Sequence, residues 1–348
     1  MTASDTTRQI LDSAVSRHDF ALAGIASLEP SDYSDAFRDW LARGKHGEMG
    51  YLANNLDVRL DPANLLEGAK SAVVVADLYA TRADNTDEPL GAGEGRIARY
   101  ARGRDYHTVI KKRLHALADG LAEEFPEASF RACVDTAPVL ERELAMRAGL
   151  GWTGKHTLTI HPREGSYFLL GVLFTSLELE PNPAPETDHC GTCNRCIEAC
   201  PTDAITPYSV DATRCLSYLT IEHRGPIEPD AYDFAGWIYG CDICQEVCPH
   251  NSERATGATV PPAYEPRRDR FDLLEVLGWT EENRREAFTT SAMKRATLAM
   301  MKRNALILLG QAGIEGEALE RVRAVAADEA EPELVRATAR EVLSLGGG

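Results

Sequence analysis

The alternation of apolar and polar positions predicts a chain that mixes helices with strands. Ser71 to Asp77 is a short β-branched run typical of a buried strand, and Phe130 to Val134 is a second strand candidate. Between them, Asp105 to Phe125 carries apolar residues at the spacing of one helix face, namely Val109, Ile110, Leu114, Leu117 and Leu121.

The two ends of the chain are predicted to be helical. Residues 6–60 look helical, and the chain beyond Pro261 contains the periodic segments Ser291 to Leu309 and Glu317 to Leu345. These last segments predict two or three antiparallel helices, like a short piece of a helical repeat array. Asp, Gly and Pro are frequent from Thr81 to Gly95, which is therefore predicted to be a loop.

A strand-to-helix junction follows the second strand candidate. Pro138 at a first helical position and Gly149 just past the end bracket a predicted helix of about ten residues. Asp135 lies at this junction, where binding and catalytic residues concentrate, although a helix cap is an equally good interpretation. A helix N-terminus would lower the pKa of Asp135, whereas burial would raise it, and the sequence leaves both open.

A glycine-rich turn from Gly149 to His156 leads into a predicted β-hairpin. Its strands are Thr157 to Ile160 and Tyr167 to Thr175, joined by a turn at Pro162 to Gly165. The glycines let backbone approach a ligand, but neither the P-loop nor the dinucleotide-binding spacing follows a strand. The proline-containing stretch Glu178 to His189 is predicted to be a stiff linker.

Composition and charge restrict the class of protein. The chain has 348 residues with 44 % hydrophobic content, which suits about two folded domains rather than a disordered chain. Its net charge of −17 argues against a generic nucleic-acid-coating protein. Neither a run of about 18 apolar residues nor an export signal with a twin-arginine pair occurs, so we expect a cytoplasmic protein without membrane contact.

Local charge opposes this acidic total at two places. Arg96 to Arg113 is strongly basic, and the pairs Lys294-Arg295 and Lys302-Arg303, eight residues apart, are expected near one helix face. Two such islands are suited to an RNA phosphate backbone. A solvated helix face is the alternative, and charge alone favours it.

The cysteines carry the most specific signal in the chain. Eight of the nine fall between Cys190 and Cys248. The first group, Cys190-x2-Cys193-x2-Cys196-x3-Cys200-Pro201, has the bacterial ferredoxin spacing for [4Fe-4S] clusters, and the remaining thiolates come from Cys215 and from Cys241-x2-Cys244-x3-Cys248-Pro249. By the ferredoxin crossover rule, one cluster takes Cys190, Cys193, Cys196 and Cys248, and the other takes Cys200, Cys215, Cys241 and Cys244.

Other uses of these cysteines fit less well. Structural zinc prefers separated Cys-x2-Cys pairs, and disulfides are rare in the cytoplasm. Cys133, outside the group, is predicted to be a buried inert thiol rather than a reactive one. Two clusters transfer electrons, so the rest of the chain must house a substrate site or another redox centre.

Six motifs follow one another from about residue 40 to residue 310. They are His46-Gly-Glu-Met-Gly-Tyr51-Leu52, Arg99-Tyr-Ala-Arg-Gly-Arg-Asp-Tyr-His107, Val134-Asp-Thr-Ala-Pro-Val-Leu-Glu-Arg142, Gly149-Leu-Gly-Trp-Thr-Gly-Lys-His156, Arg214-Cys-Leu-Ser-Tyr-Leu-Thr-Ile-Glu222 and Tyr239-Gly-Cys-Asp-Ile-Cys244. In this combination the chain resembles the epoxyqueuosine reductase family, cobalamin-dependent enzymes of the last step of queuosine biosynthesis in tRNA.

The resemblance implies an α+β fold in three parts. These are an N-terminal α/β cobalamin-binding domain at 1–180, a ferredoxin-like double [4Fe-4S] domain at 181–260 and a short C-terminal helical, HEAT-like region at 261–348. The implied cofactors are two [4Fe-4S] clusters and cobalamin. The implied partners are tRNA and an external electron donor, and the implied enzyme is a monomer. The implied reaction reduces epoxyqueuosine to queuosine at the wobble position of the anticodon, with loss of the epoxide oxygen.

The resemblance also suggests roles for single residues. Asp135 matches the family's acidic residue and would donate a proton to the opening oxygen, which demands a protonated carboxyl in a desolvated pocket. The expected cobalamin contacts are Arg59, Ala101, Asp135, Arg142, Lys155, His156, Thr157, Thr159, Ser217 and Asp242. The expected tRNA contacts are Arg224, Lys294, Arg295, Lys302 and Arg303.

Two other functions compete with this one. The first is a reductive dehalogenase-like cobalamin and iron-sulfur reductase of a small molecule, and the absence of a twin-arginine signal disfavours it. The second is an electron carrier of the two-cluster ferredoxin type. That carrier would need only the cysteine segment, roughly residues 185 to 255, so the long flanking sequences disfavour it.

Overall fold

The computed structural model describes residues 2–80, 89–183, 188–251 and 260–345. Its helices are α1 (Ala3–Ser16), α2 (Ser34–Ala42), α3 (Leu56–Leu60), α4 (Tyr106–Glu124), α5 (Glu141–Arg147), α6 (Arg195–Glu198), α7 (Leu216–Ile221), α8 (Ile243–Glu246), α9 (Leu273–Leu277), α10 (Glu281–Ala287), α11 (Leu298–Ala312), α12 (Gly316–Ala327) and α13 (Glu333–Leu345). Its strands are β1 (Leu22–Ser27), β2 (Ser71–Leu78), β3 (Glu94–Ile97), β4 (Phe130–Cys133), β5 (Trp152–Thr153), β6 (Thr159–Ile160), β7 (Phe168–Thr175), β8 (Ile205–Thr206), β9 (Ser209–Val210), β10 (Trp237–Tyr239) and β11 (Arg270–Asp272).

A four-stranded antiparallel sheet in the order β1-β2-β7-β4 forms the centre of the N-terminal part. Every residue of β2 is buried. Val73 and Val75 pack with α1 and α4 on one face, while Ala72, Val74 and Ala76 pack with α5 on the other. Cover on both faces explains why Ala72 to Ala76 is an uninterrupted apolar run rather than an alternating one.

The structure confirms the strands predicted at β2 and β4 and the helix predicted at α4. The helical expectation for residues 6–60 is wrong over β1, because that segment pairs with β2 along its whole length. The predicted hairpin is also wrong. The strand β6 pairs with β5, and β7 lies between β2 and β4 in the central sheet.

Three further expectations concern segment boundaries. Helix α5 begins at Glu141, three residues after Pro138, so the proline is not its first helical residue. The loop predicted from Thr81 to Gly95 ends at β3, whose first residue is Glu94. Its residues 81–88, and residues 184–187 of the predicted linker, lie outside the described part of the chain.

A second sheet joins distant parts of the chain. Strand β3 pairs in parallel with β10 and antiparallel with β11. Each of these strands comes from a different one of the three predicted segments, whose boundaries stay a prediction. The expected α+β fold with C-terminal helices is confirmed. Among the described residues, no helix is both long enough and apolar enough to cross a membrane.

Helix α11 is buried from Met300 to Leu309, and this stretch includes two residues expected to contact tRNA. Arg303 is fully buried and donates to the carbonyl oxygens of Leu219, His223 and Gly225 at 2.7 to 2.8 Å. Lys302 is buried in an ion pair with Glu331.

The predicted RNA contacts of Lys302 and Arg303 are therefore wrong. Lys294 and Arg295 stand on a separate 3-10 turn rather than on the face of α11. The shared helix face expected for the two pairs is wrong as well.

Arg303→Leu should destabilise the fold by about 3 kcal/mol or more, because one buried and two partly buried carbonyl oxygens lose their donor. The measurement is urea unfolding followed by circular dichroism. The matched control is Arg340→Leu, a half-exposed arginine paired with Glu333, whose loss should cost less than about 1 kcal/mol. Equal costs for the two variants would contradict the structural role of Arg303.

Candidate active site

Asp135 follows β4 and adopts a left-handed backbone conformation, with φ of +54°. Non-glycine residues in this region are strained, and such residues cluster at functional sites. The carboxylate oxygen Oδ2 accepts from the Tyr106 hydroxyl at 2.8 Å and lies 3.2 Å from Nε2 of His107. The helix-cap interpretation of Asp135 is wrong, since α5 begins at Glu141 and its cap residue, Leu140, makes no side-chain cap bond.

His107 links two carboxylates. Its Nδ1 lies 2.8 Å from Oδ1 of Asp105, the residue that caps the N-terminus of α4, while Nε2 faces Asp135. Burial opposes the charged imidazolium, but hydrogen bonds to both carboxylates outweigh it and raise the pKa of His107 to about 9. At neutral pH both ring nitrogens therefore carry protons and donate to the two acids.

The electrostatics correct the expectation of a protonated Asp135. The hydrogen bond from His107 lowers the pKa of this carboxyl, burial opposes the change, and Tyr106 adds to the lowering. Solvent also reaches 64 % of the Asp135 side chain. The group is thus an exposed carboxylate, and the dissociable proton of the pair is held on His107.

Glu141 is the buried acid of this region, and the sequence analysis missed it. Burial and the nearby charge of Asp135 raise the pKa of Glu141 to about 7. Its Oε1 atom is buried and has no hydrogen-bond partner. Only its place at the start of α5, within the motif Val134 to Arg142, could have drawn attention to it.

Several expected cofactor contacts present buried polar atoms without a partner. These atoms are Nε of Arg59, Nε2 of His156 and Oγ1 of Thr159. His156 accepts from the backbone N–H of Leu158 through Nδ1, so its Nε2 carries the hydrogen. Burial lowers the pKa of His156 to about 4, which keeps the ring neutral.

Arg142 connects this group to the loop before β6. Its Nη1 donates to the carbonyl oxygen of Thr157 at 2.8 Å and to the hydroxyl of the same residue at 3.2 Å. Thr157 has φ of +68°, a second strained non-glycine residue in the region. Arg142 also acts on the pKa of both Asp135 and His156. Arg59, Asp135, Arg142, His156, Thr157 and Thr159 therefore belong to one neighbourhood, in which unpaired buried polar atoms suit a polar ligand.

The other expected cofactor contacts have different surroundings. Asp242 is buried and accepts from the backbone N–H of Arg99 at 2.7 Å. Lys155 donates to the carbonyl oxygens of Gly191 and Cys193. Ser217 is half-buried on α7, and Ala101 is fully buried on the 3-10 turn after β3.

All nine cysteines are free thiols, and several of those between Cys190 and Cys248 act on one another's pKa. Burial raises the pKa of Cys248 to about 11, and the thiols of Cys190, Cys196 and Cys193 add to this effect. The pKa of Cys241 is raised by burial and then by Asp242, Cys215 and Cys200. The raised pKa of Cys244 reflects burial first, then Cys241, Cys215, Asp242 and Cys196, so thiols assigned to different clusters also influence one another. Cys133 lies apart in the central sheet and is buried.

The exposed part of the C-terminal basic island lies beside Asp135. Arg295 pairs with Glu222, and its guanidinium lies 4.9 Å from the ring centroid of Tyr51. The pKa of Arg295 is raised chiefly by Glu222, with Asp135 and Tyr51 adding to the effect. Lys294 and Arg224 are exposed. From the N-terminal island, Arg99 and Arg102 are buried and Arg113 is bound to Asp77, whereas Arg104, Lys111 and Lys112 are exposed.

Comparisons with known proteins agree with this arrangement. The family model described as "Epoxyqueuosine reductase QueG, DUF1730" matches residues 59–136, and the "4Fe-4S double cluster binding domain" matches residues 189–251. Among curated relatives, the epoxyqueuosine reductase of Pseudomonas aeruginosa is 39 % identical over 88 % of this chain and 85 % of its own length. That of Cyclobacterium marinum is 41 % identical over 87 % of this chain and 97 % of its own length.

Solved structures agree as well. A crystal structure of epoxyqueuosine reductase with an epoxyqueuosine-modified tRNA stem loop matches with a TM-score of 0.86 at 25 % identity, over 100 % of this chain and 92 % of that one. The structure from Streptococcus thermophilus matches with a TM-score of 0.85 at 28 % identity, over 97 % and 90 % of the two chains.

Cys215→Ala should lower the iron content from about eight to about four per chain, because it removes one thiolate from a four-thiolate cluster. The measurement is iron analysis of anaerobically purified protein. Cys133→Ala is the matched control, since it removes a buried thiol outside both sets, and should keep all the iron. Full iron retention by Cys215→Ala would remove Cys215 from the ligand set.

Proposed function

The chain belongs to the epoxyqueuosine reductase family, and on this premise we propose that it reduces epoxyqueuosine to queuosine at the wobble position of tRNA anticodons. Loss of the epoxide oxygen consumes two electrons and two protons and releases water. The observation that carries the proposal is the contact between protonated His107 and the exposed carboxylate of Asp135. The same chain has a double [4Fe-4S] domain.

When bound, two [4Fe-4S] clusters would carry the electrons. One cluster would be held by Cys190, Cys193, Cys196 and Cys248, and the other by Cys200, Cys215, Cys241 and Cys244. The ferredoxin spacing supports this division. Iron reverses the effect of burial, because a coordinated thiol is deprotonated.

Cobalamin is the second cofactor, and the residues around Asp135 fit it. The unpaired buried atoms of Arg59, His156 and Thr159 supply donors for a polar macrocycle rim, and Arg142 holds the loop that carries Thr157. The remaining expected contacts, Ala101, Lys155, Ser217 and Asp242, stay predictions. When bound, this cofactor supplies a strongly reducing cobalt for the two-electron step.

His107 and Asp135 deliver one of the two protons to the departing oxygen, and solvent, which reaches Asp135, supplies the other. His107 is protonated at neutral pH and shares its Nε2 proton with Asp135, which is open to solvent. Asp135 accepts that proton and presents it to the substrate, while Asp105 stabilises the imidazolium from the other side. The pair thus supplies an acid although the isolated Asp135 carboxyl favours its charged form.

tRNA docks at the exposed basic residues beside Asp135. Arg295 interacts with the charge of Asp135, Lys294 precedes Arg295 on the same turn, and Tyr51, which is 45 % exposed, offers an aromatic face for an unstacked base. Arg224 is a further exposed cation. Its backbone N–H donates to the side chain of Glu48, which lies three residues before Tyr51 in the sequence. Of the five expected tRNA contacts, Arg224, Lys294 and Arg295 stay in the proposed tRNA surface, and the buried pair Lys302 and Arg303 leaves it.

Three parts of the proposal concern the setting of the enzyme. It acts in the cytoplasm, works as a monomer and takes electrons from an external donor. The reductase of small molecules is not favoured, because the relatives described above carry the name epoxyqueuosine reductase.

Asp135→Asn should lower turnover of epoxyqueuosine tRNA at least about a hundredfold, because it removes the proton acceptor and donor with little change of shape. The measurement is the rate of queuosine formation at matched iron and cobalamin content. The control is Asp119→Asn, an exposed aspartate on α4, which should keep the wild-type rate. Wild-type turnover by Asp135→Asn would exclude Asp135 from proton delivery.

The pH profile checks the same proton source. A raised pKa keeps His107 charged below its folded value, so the rate should hold through neutral pH and fall as the pH rises through about 9. A fall in the rate near the ordinary pKa of histidine would contradict the assignment of His107 as the proton source.

Lys294→Gln and Arg295→Gln should each weaken tRNA binding and reduce the slope of log K against log salt by about one, as expected for one lost phosphate contact. The measurement is anisotropy of a labelled anticodon stem loop between low and moderate salt. Lys70→Gln is the control. The backbone N–H of Lys70 donates to the carbonyl oxygen of Thr175, which places this lysine at the opposite end of the central sheet from Asp135. Unchanged slopes in both variants would move the RNA surface elsewhere.

A further inference from the structure

Trp152 carries a buried hydrogen-bond donor with no conventional partner. It is the first residue of β5 and is only 4 % exposed. Its Nε1 atom makes no hydrogen bond within the described residues. A buried N–H without an acceptor is costly, and a phenyl ring would fill much of the same space without that cost. The indole N–H is therefore a free donor in the metal-free chain and suits an acceptor that gains negative charge when a metal binds.

The surroundings of this indole belong to one set of cluster cysteines. Trp152 packs with Ile160 and Cys248, and Cys190 packs against the same group. The rings of His189 and His250 meet it edge-on, each with a centroid distance of 4.8 Å. The indole is thus clamped between residues that flank two ligands of the same proposed cluster.

The sulfur atoms packed in this group are those of Cys190 and Cys248. The Lys155 ammonium, in the turn between β5 and β6, donates to the carbonyl oxygens of Gly191 and Cys193 at 2.8 and 2.9 Å. These bonds hold the turn that follows Trp152 against the chain that carries Cys190. The buried indole N–H is thus fixed beside two ligands of one proposed cluster.

We propose that Trp152 donates its indole N–H to a ligand sulfur, that of Cys190 or Cys248, once that sulfur binds iron, and so raises the reduction potential of the cluster held by Cys190, Cys193, Cys196 and Cys248. This inference rests on the proposed function, which supplies the cluster. Reduction adds one electron to the cluster from the external donor, with no bond broken and no proton moved. The added negative charge spreads onto the sulfurs and strengthens each N–H bond to them, so donors favour the reduced state.

The first test is a redox titration of Trp152→Phe followed by electron paramagnetic resonance. Loss of the donor should lower the ratio of reduced to oxidised cluster about tenfold at a fixed potential, equal to about 59 mV for a one-electron couple, while the other cluster keeps its potential. The matched control is Trp279→Phe, a buried tryptophan whose Nε1 already donates to Glu275, which should leave both potentials unchanged. Unchanged potentials in a fully loaded Trp152→Phe would overturn the proposal.

A second measurement needs no variant and decides the case even where Trp152→Phe loses its cluster. Wild-type protein with 15N-labelled indole should show a hyperfine coupling from one tryptophan nitrogen to a reduced cluster. Absence of that coupling in protein holding about eight irons would refute the hydrogen bond. Iron content and wild-type turnover are recorded in parallel, so a chain without clusters or activity would count against the proposed function instead.

Discussion

Eight thiols must meet in two groups before two clusters can form, and the cysteines that supply them stand on three separate stretches of chain. Buried polar contacts hold those stretches in place. Arg99, next to β3, contacts Asp242 and Glu246 on either side of Cys244. Gln245 and Asn251 bond to Ser166 just before β7. The cluster segment is thus tied to the N-terminal part by side chains interleaved with its own ligands.

The C-terminal helices complete this support from the other side. Arg303 and its neighbour Asn304 donate to carbonyl oxygens at the end of α7 and in the chain around it, and α7 begins directly after Cys215. Asn304 also reaches the carbonyl oxygen of Ile238 in β10, three residues before Cys241. One buried pair on α11 therefore holds the backbone near two ligands of the second proposed cluster. The free-energy cost of burying the guanidinium of Arg303 is offset by its hydrogen bonds to these carbonyl oxygens.

Parts of this organisation follow from local sequence. The ferredoxin spacing around Cys190, the apolar run of β2 and the periodicity of α4 are short-range signals, and they predicted the corresponding elements correctly. Strand β1 was missed because its strand character comes from pairing with β2, which lies far along the chain.

The remaining errors have the same origin. The burial of Arg303 depends on acceptors about eighty residues away by the sequence separation of its bonds. The ionised state of Asp135 depends on His107, a neighbour from another element. Charge counted along the sequence does not reveal such partners. Thus the sequence singled out Asp135, but its protonation and the burial of Arg303 could not be predicted from local pattern.

In the proposed reaction, electrons from two clusters and a proton from the His107 and Asp135 pair remove oxygen from a modified nucleoside in tRNA. In the most direct measurement, epoxyqueuosine tRNA is incubated anaerobically with reductant and protein, with and without added cobalamin. The masses of the digested nucleosides are then determined by mass spectrometry. The predicted result is a nucleoside lighter by one oxygen, formed when cobalamin is present. Unchanged epoxyqueuosine after incubation with protein that holds both clusters and cobalamin would contradict the account.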